Sequence, residues 1–340
     1  MSAFKVPLPS GCGICGQKER VRVCSGCKVM PYCGVEHQTA HRPDHKTDCI
    51  RIKKCRVQME AQEQAVHNHP AKDFKYNVGR FWKMFETRAY MECRLDYRAA
   101  LTFVRNVESV QAQLDTVMEN LRLCRDGKIG SRDVAPGLMI RLDKDQESYD
   151  FLKWWATSAK NPQYDWNDIT LPFLDIKDAN PLEPVWPFLN NTNELSHVVV
   201  VTLIKIKLYF ILLTKHGENE ASTDKLRKAA DEMMALKNST IARNPNVAVL
   251  SPYGTSLELD NIKGQIRQLY DAVHNANPHF WAELIDPDEK LSAAPAVYSS
   301  GSKEEMQTTI MWTWQAWNET FGALEIIYGI VKGKQDAFSF

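Results

Sequence analysis

The residues able to do chemistry are concentrated near one end of the chain: six of its nine cysteines fall between Cys12 and Cys49. They come as Cys12 and Cys15, then Cys24 and Cys27, then Cys33 and Cys49 with His37, His41 and His45 between them. Two thiols separated by two residues share a turn, and side chains four apart share one helix face. Each pair can therefore offer two donors to one ion. Thiolate and imidazole donors gathered in fours are the tetrahedral set of structural zinc. Eight donors make two sites, and the spacing alone leaves open whether the pairs join sequentially or crosswise. Four protein donors per ion leave no coordination position for water or substrate, so the expected zinc is architectural, not catalytic. Cys55, Cys93 and Cys124 stand outside the pattern and read as small packing residues.

Something must hold these donors in place. A module over 12–49 buries too little apolar surface to fold alone, so metal binding is expected to supply most of its stability, on the order of 10 kcal/mol per ion. Residues 1–11 precede it as a tail. Residues 50–69 open with the basic run Arg51, Lys53, Lys54 and Arg56 and continue polar and helix-prone, as an exposed connector helix that His69-Pro70 ends. Residues 1–56 hold eleven Lys and Arg against four Asp and Glu, a surplus of seven. Six thiolates and two Zn2+ reduce that surplus to about five. Because the formal net charge of the 340-residue chain is zero, a basic finger stands on an acidic body. Thiolates used as ligands belong in a reducing compartment, so an intracellular protein of cytoplasm or nucleus is expected. The N-terminus carries no apolar core of signal-peptide length.

Residues 70–340 read as a large α-helical domain, which makes the fold class mainly α: a small two-zinc finger followed by helices. Val107, Val110, Leu114, Val117, Met118 and Leu121 form one amphipathic stripe; Leu259, Ile262, Ile266, Leu269, Tyr270 and Val273 form another. Ser302 and Glu305 suggest a capping box ahead of a long apolar face from Met306 through Trp317 and Phe321 to Val331. Phe81, Trp82 and Phe85 head a further apolar helix. The most apolar run, Val198 to Leu213, is interrupted by Lys205 and Lys207, which favours a buried helix over a membrane span. Between about 161 and 193 five prolines break the helical period, and Trp166, Phe173, Trp186 and Phe188 mark a covering segment packed on the body. The acidic and aromatic stretch Asp145 to Trp155 reads as helix packing with solvated carboxylates.

The run Y-C-x-x-x-H-Q-x-x-H-x-P-D-H-x-x-x-C after two Cys-x-x-Cys pairs resembles the MYND zinc-finger family. That resemblance implies crosswise binding of two zincs, with Cys12, Cys15, Cys33 and His37 at one site and Cys24, Cys27, His45 and Cys49 at the other. The family usually has a cysteine where His37 stands; histidine keeps the metal, and His41, one turn further on, is the competing donor otherwise expected to be an exposed bystander. Such fingers commonly hold short proline-containing peptides in a groove that a Gln and a Trp help form. Gln38 matches, but Arg42 stands at the Trp position, which turns the expectation toward an acidic partner. No Asn-His-x-Cys motif and no second zinc cluster follow, so the chain does not resemble the SET methyltransferases that also carry MYND fingers. Nor is there a phosphate-cradling glycine loop, Gly-x-Ser-x-Gly or His-Glu-x-x-His. The D-Q-E-S-Y-D-F-x-K-W-W run, N-P-H-F-W and G-A-L-E resemble the body of fungal MYND-finger proteins with a helical C-terminal region. The function expected is a protein-interaction module or adaptor, with no enzymatic activity and no membrane partner. Nucleic-acid binding by the basic finger and an enzyme within the helices are the alternatives.

Overall fold

The computed structural model describes residues 8–69, 74–127, 129–189, 194–217, 239–287, 295, 297–334 and 337–338. The chain divides into two compact units: residues 6–138 with 165–172, and residues 139–164 with 173–340. The finger thus shares a unit with the helices that follow it, and the boundary between units falls inside the stretch that the sequence reading takes as one helical domain.

In the finger-bearing unit, β1 (Arg22–Val23) pairs antiparallel with β2 (Pro31–Tyr32), and α1 (Val35–Ala40) follows. Next comes α2, Arg42–His67, one uninterrupted helix of 26 residues with Pro43 in its first turn. The finger's last helix and the connector are therefore the same element. Among its buried and half-buried positions, Ile52, Cys55, Met59, Gln62 and Val66 recur at alternating spacings of three and four, a narrow seam rather than a broad face. α3 (Phe74–Asn77) leads to α4 (Phe85–Leu101), where Thr87, Tyr90, Arg94, Tyr97 and Leu101 repeat the same spacing, and the two helices pack together. The exposed connector expected from composition is thus half of a helix pair. Its seam is thin enough for the polar majority to mask it. Phe81 is fully buried as expected, whereas Phe85, at the start of α4, is 81% exposed.

The charge in this seam is Arg94. Its Nε donates to Asn120 Oδ1 at 2.5 Å, and its Nη atoms donate to the Tyr90 hydroxyl and the Thr116 carbonyl at 3.0 and 3.1 Å. Tyr90 passes the contact to Glu63 on α2 at 2.9 Å. Asn120 and Thr116 lie on α5 (Val107–Leu123), whose Val110, Leu114, Val117 and Leu121 are buried as the stripe predicts. α6 (Ser131–Arg141) ends this part of the chain. Residues 165–172 return to the unit, where Arg80, Lys83 and Arg125 bind the Asn167, Asp168 and Leu171 oxygens.

The other unit contains α7 (Asp145–Ala156), α8 (Trp186–Leu189), α9 (Leu195–Gly217), α10 (Pro245–Ala248), α11 (Pro252–Ala276), α12 (Phe280–Ile285), α13 (Lys303–Glu319) and α14 (Ala323–Val331). α9 is apolar all round and central, with α7, α8, α11, α13 and α14 packed on it. Among the described residues it is the one helix long and apolar enough to cross a membrane, and 89% of its most apolar window is buried inside the unit. Both lysines that interrupt it are satisfied internally. Lys207 Nζ lies 2.7 Å from Asp145 Oδ1, and Lys205 Nζ donates to the carbonyls of Pro181 and Glu183. The proline-rich segment is in this way fastened to the core, and Phe173 packs on Trp154 and Phe188 on Tyr149. Trp186 differs: it is 65% exposed.

Burial holds the Lys205 ammonium down, to about 7. Its unfolded value is about 10.4, so between these limits the unfolded chain binds the extra proton and stability rises with pH. Urea midpoints measured from pH 7 to 9.5 should increase, and Lys205→Met should flatten that slope.

Three other expectations are corrected. The carboxylates of α7 are not all solvated: Asp145 and Asp150 are buried, with Asp145 also accepting from Ser239 Oγ and Asp150 accepting from the backbone N–H groups of Asp178 and Ala179 at 2.9 Å each. Ser302 caps α13 as predicted, but Glu305 accepts from Gly301 N and Asn277 Nδ2 instead of completing a capping box. The long C-terminal face is also broken. Gly322 adopts φ +67° with the Phe210 ring where a Cβ would stand, so α13 stops and α14 restarts in a new register that buries Ile326 and Ile327 and leaves Tyr328 exposed.

Candidate metal centres

The finger's local structure follows from its turns. In the first, Cys12 N donates to Gln17 O and Gly16 N to Cys12 O, both at 2.8 Å, curling Cys12 and Cys15 around one point. In the second, Cys24 N donates to Met30 O at 2.7 Å and Lys28 N to Cys24 O at 2.9 Å, with Lys28 at φ 66°. The β1–β2 hairpin spans the second turn and delivers Cys33 beside the first. α1 then carries His37 one turn beyond Cys33, and α2 carries His45 and Cys49 on one face.

Two clusters result: Cys12, Cys15, Cys33 and His37, and Cys24, Cys27, His45 and Cys49. Within each, the donor atoms all lie within 4.8 Å of one another. Donors at the corners of a zinc tetrahedron, with Zn–S about 2.3 Å and Zn–N about 2.0 Å, sit about 3.8 Å apart for two sulfurs and about 3.5 Å for sulfur and nitrogen. The observed separations match. Cys15 and Cys33 sulfurs are 3.7 Å apart, as are those of Cys24 and Cys49. His37 Nδ1 is 3.4 and 3.1 Å from the Cys12 and Cys33 sulfurs, and His45 Nε2 is 3.4 Å from Cys27. The sulfurs are far beyond disulfide length, and all nine cysteines are free. The pairs join crosswise, first with third and second with fourth.

Electrostatics favours a cation at each centre. Burial, reinforced by the neighbouring Cys24 and Cys49 charges, pushes the Cys27 thiol up to about 12. Burial acts in the same direction on Cys12, but donation from the Cys15, Ile14 and Cys33 backbone N–H groups outweighs it and brings that thiol down to about 5. Sulfurs this close cannot all ionise unaided, whereas a divalent ion reverses their mutual repulsion. His45 is pushed down by burial and by His41 and Arg42, which keeps its imidazole neutral and able to coordinate.

The two clusters differ in setting. The Cys24 cluster is buried at all four residues. Its cysteines, with Cys12, join Val29, Tyr32, Ile52, Tyr97, Ala100, Leu101 and Val104 in a single core, so the metal centre is part of the α2–α4 interior. Gly26 approaches so closely that a Cβ would stand 2.7 Å from Cys49 Sγ. Arg56 donates to the Gly26 carbonyl at 3.3 Å. Asn106 caps α5 through its side-chain oxygen while its Nδ2 donates to Val29 O at 2.7 Å. In the other cluster Cys12 is buried, Cys33 and His37 are half-buried and Cys15 is exposed.

His41 is not the exposed bystander expected. It is half-buried, its Nδ1 lies 3.0 Å from the Tyr32 hydroxyl, and its ring stacks on His45 at 5.6 Å. It lies outside both clusters, while His37 lies inside one. Arg42, at the start of α2, is exposed. The His41 position was visible from its placement four residues before His45. The Asn106 contact joins residues 77 apart and leaves no local signal.

These features define a cross-braced finger with two four-donor zinc sites, in which the metal is structural. The comparisons name it: residues 12–49 match the family described as the MYND finger. No curated protein and no solved structure matches the chain.

The geometry predicts separable effects of the two histidines. His37→Ala should lower bound zinc from two ions per chain toward one, whereas His41→Ala should retain both, as counted by native mass spectrometry.

Proposed function

We propose that this chain is an adaptor whose finger is a rigid platform for a protein partner. The eight residues of the two clusters hold two zinc ions that serve architecture alone. The observation that carries this reading is the saturation of both donor sets: four protein atoms at each centre leave the metal no coordination position for substrate. What the finger offers instead is surface. Ile14 and Val35, at 49% and 72% exposure, flank the outer cluster, and both residues of β1 are exposed. An extended segment lying on this surface would bury the two aliphatic side chains. The basic surplus of the finger favours a segment that carries acidic groups. Such a protein works without enzymatic activity, and thiolate coordination suits the cytosol or nucleus.

The test is a pull-down with the intact protein and with an Ile14→Glu, Val35→Glu variant whose zinc content is confirmed. Loss of partners from the variant supports the platform. Retention of every partner by this variant would mean that recognition lies elsewhere and the finger only staples its unit. Duplex DNA titrated at low salt supplies the other arm, because binding that falls steeply with added salt would favour nucleic acid over protein.

A further inference from the structure

The two centres sit differently with respect to solvent, and the chemistry of zinc thiolates makes that difference consequential. At the outer centre Cys15 is exposed and Cys33 half-buried, and their sulfurs are 3.7 Å apart. At the inner centre the Cys24 and Cys49 sulfurs have the same separation, yet all four residues are buried, and the three cysteines share a core with Ile52, Tyr97 and Leu101. Separation therefore does not distinguish the pairs, and access does. Cys15 also sits in a turn that packs little, whereas moving Cys24 or Cys49 would disturb the α2–α4 core.

We propose that Cys15 and Cys33 are a peroxide-sensitive pair whose oxidation to a disulfide empties the outer zinc site and leaves the inner one loaded. The inference rests on the reading that the eight residues hold two zinc ions. The steps balance with hydrogen peroxide as the oxidant. The Cys15 thiolate attacks one peroxide oxygen, the O–O bond breaks, and the departing hydroxide is protonated to water, leaving a sulfenic acid at Cys15. The Cys33 thiolate then attacks that sulfur, forming the S–S bond and expelling the second hydroxide, which is also protonated. Two thiolates lose two electrons and the peroxide gains them. Cys12 and His37 alone remain at the outer centre, too few donors to retain the ion. The surface that changes is the one carrying Ile14 and Val35, so oxidation would switch the platform while α2 and α4 stay packed.

The experiment uses the full zinc-loaded chain. Native mass spectrometry first counts the ions; fewer than two would remove the zinc reading itself, independently of the redox proposal. Hydrogen peroxide is then titrated while released zinc is followed with a colorimetric chelator and cysteines are mapped by differential alkylation. The expected result is release of one ion per chain in step with a Cys15–Cys33 disulfide, with Cys24, Cys27 and Cys49 protected until denaturation, and recovery on adding dithiothreitol and zinc. A Cys55→Ser, Cys93→Ser, Cys124→Ser variant, which keeps all eight zinc donors although Cys55 packs on the inner core, should show the same first release step. Simultaneous release of both ions, a first disulfide involving Cys24 or Cys49, or loss of the first release step in that variant would overturn the proposal.

Discussion

Cys24→Ser is expected to abolish zinc binding at the inner centre and to unfold far more than the finger. A structural zinc contributes on the order of 10 kcal/mol or more, comparable to the whole stability of an ordinary domain, about 5–15 kcal/mol. Here the affected sulfurs lie in the same core as Ile52, Tyr97, Ala100 and Leu101. Removing the ion leaves Cys27, His45 and Cys49 as buried polar groups without their common partner, at the place where α2 crosses α4. Amide hydrogen exchange should therefore lose protection through α2 and α4, beyond residue 49 and as far as Leu101. Cys15→Ser provides the contrast: its site is at the exposed edge, and lost protection should be confined to the first turn and α1. Equal, finger-limited losses in both variants would show that the inner ion is not part of the helical core.

The second large effect is expected at Asp145→Ala. Asp145 is fully buried, pairs with Lys207 at 2.7 Å and accepts from Ser239, joining α7, α9 and the turn before α10. Deleting one member of a buried pair costs about 3–5 kcal/mol, more than the contact itself is worth, because the other charge loses its close partner; Lys207 would keep only the more distant Asp143, at 4.0 Å. The urea midpoint should fall accordingly. Pairing the substitution with Lys207→Met should recover much of the loss, because an apolar pair of similar volume carries no desolvation penalty. A single variant within about 0.5 kcal/mol of the parent, the range of an ordinary surface substitution, would contradict the role given to the pair.

The metal donors were legible because thiol chemistry demands close spacing, so Cys12 to Cys49 declares itself within a short window. The long stripes of α5 and α11 were legible for a similar reason: four or five apolar residues at helical period leave little choice of face. What escaped was set by partners distant in sequence. The seam of α2 is only one residue wide per turn, includes the polar Gln62, and becomes meaningful only against the matching repeat on α4. The carboxylates of α7 look solvated until Lys207, 62 residues away, is brought to Asp145. The break at Gly322 depends on Phe210, which no local pattern reveals. His41 reads from the sequence as a competing donor or an exposed bystander, whereas the Tyr32 hydroxyl, nine residues away, claims its side chain.

The central claim is that this chain carries two closed, cross-braced zinc centres, one of them built into a helical core. Native mass spectrometry of the full chain and its Cys24→Ser and Cys15→Ser variants tests it most directly. Two zinc ions are expected in the parent and one in Cys15→Ser, retained at the inner centre; Cys24→Ser should lose the inner ion together with the packing of α2 on α4. A parent with one ion, or a Cys24→Ser protein that keeps both, would contradict it.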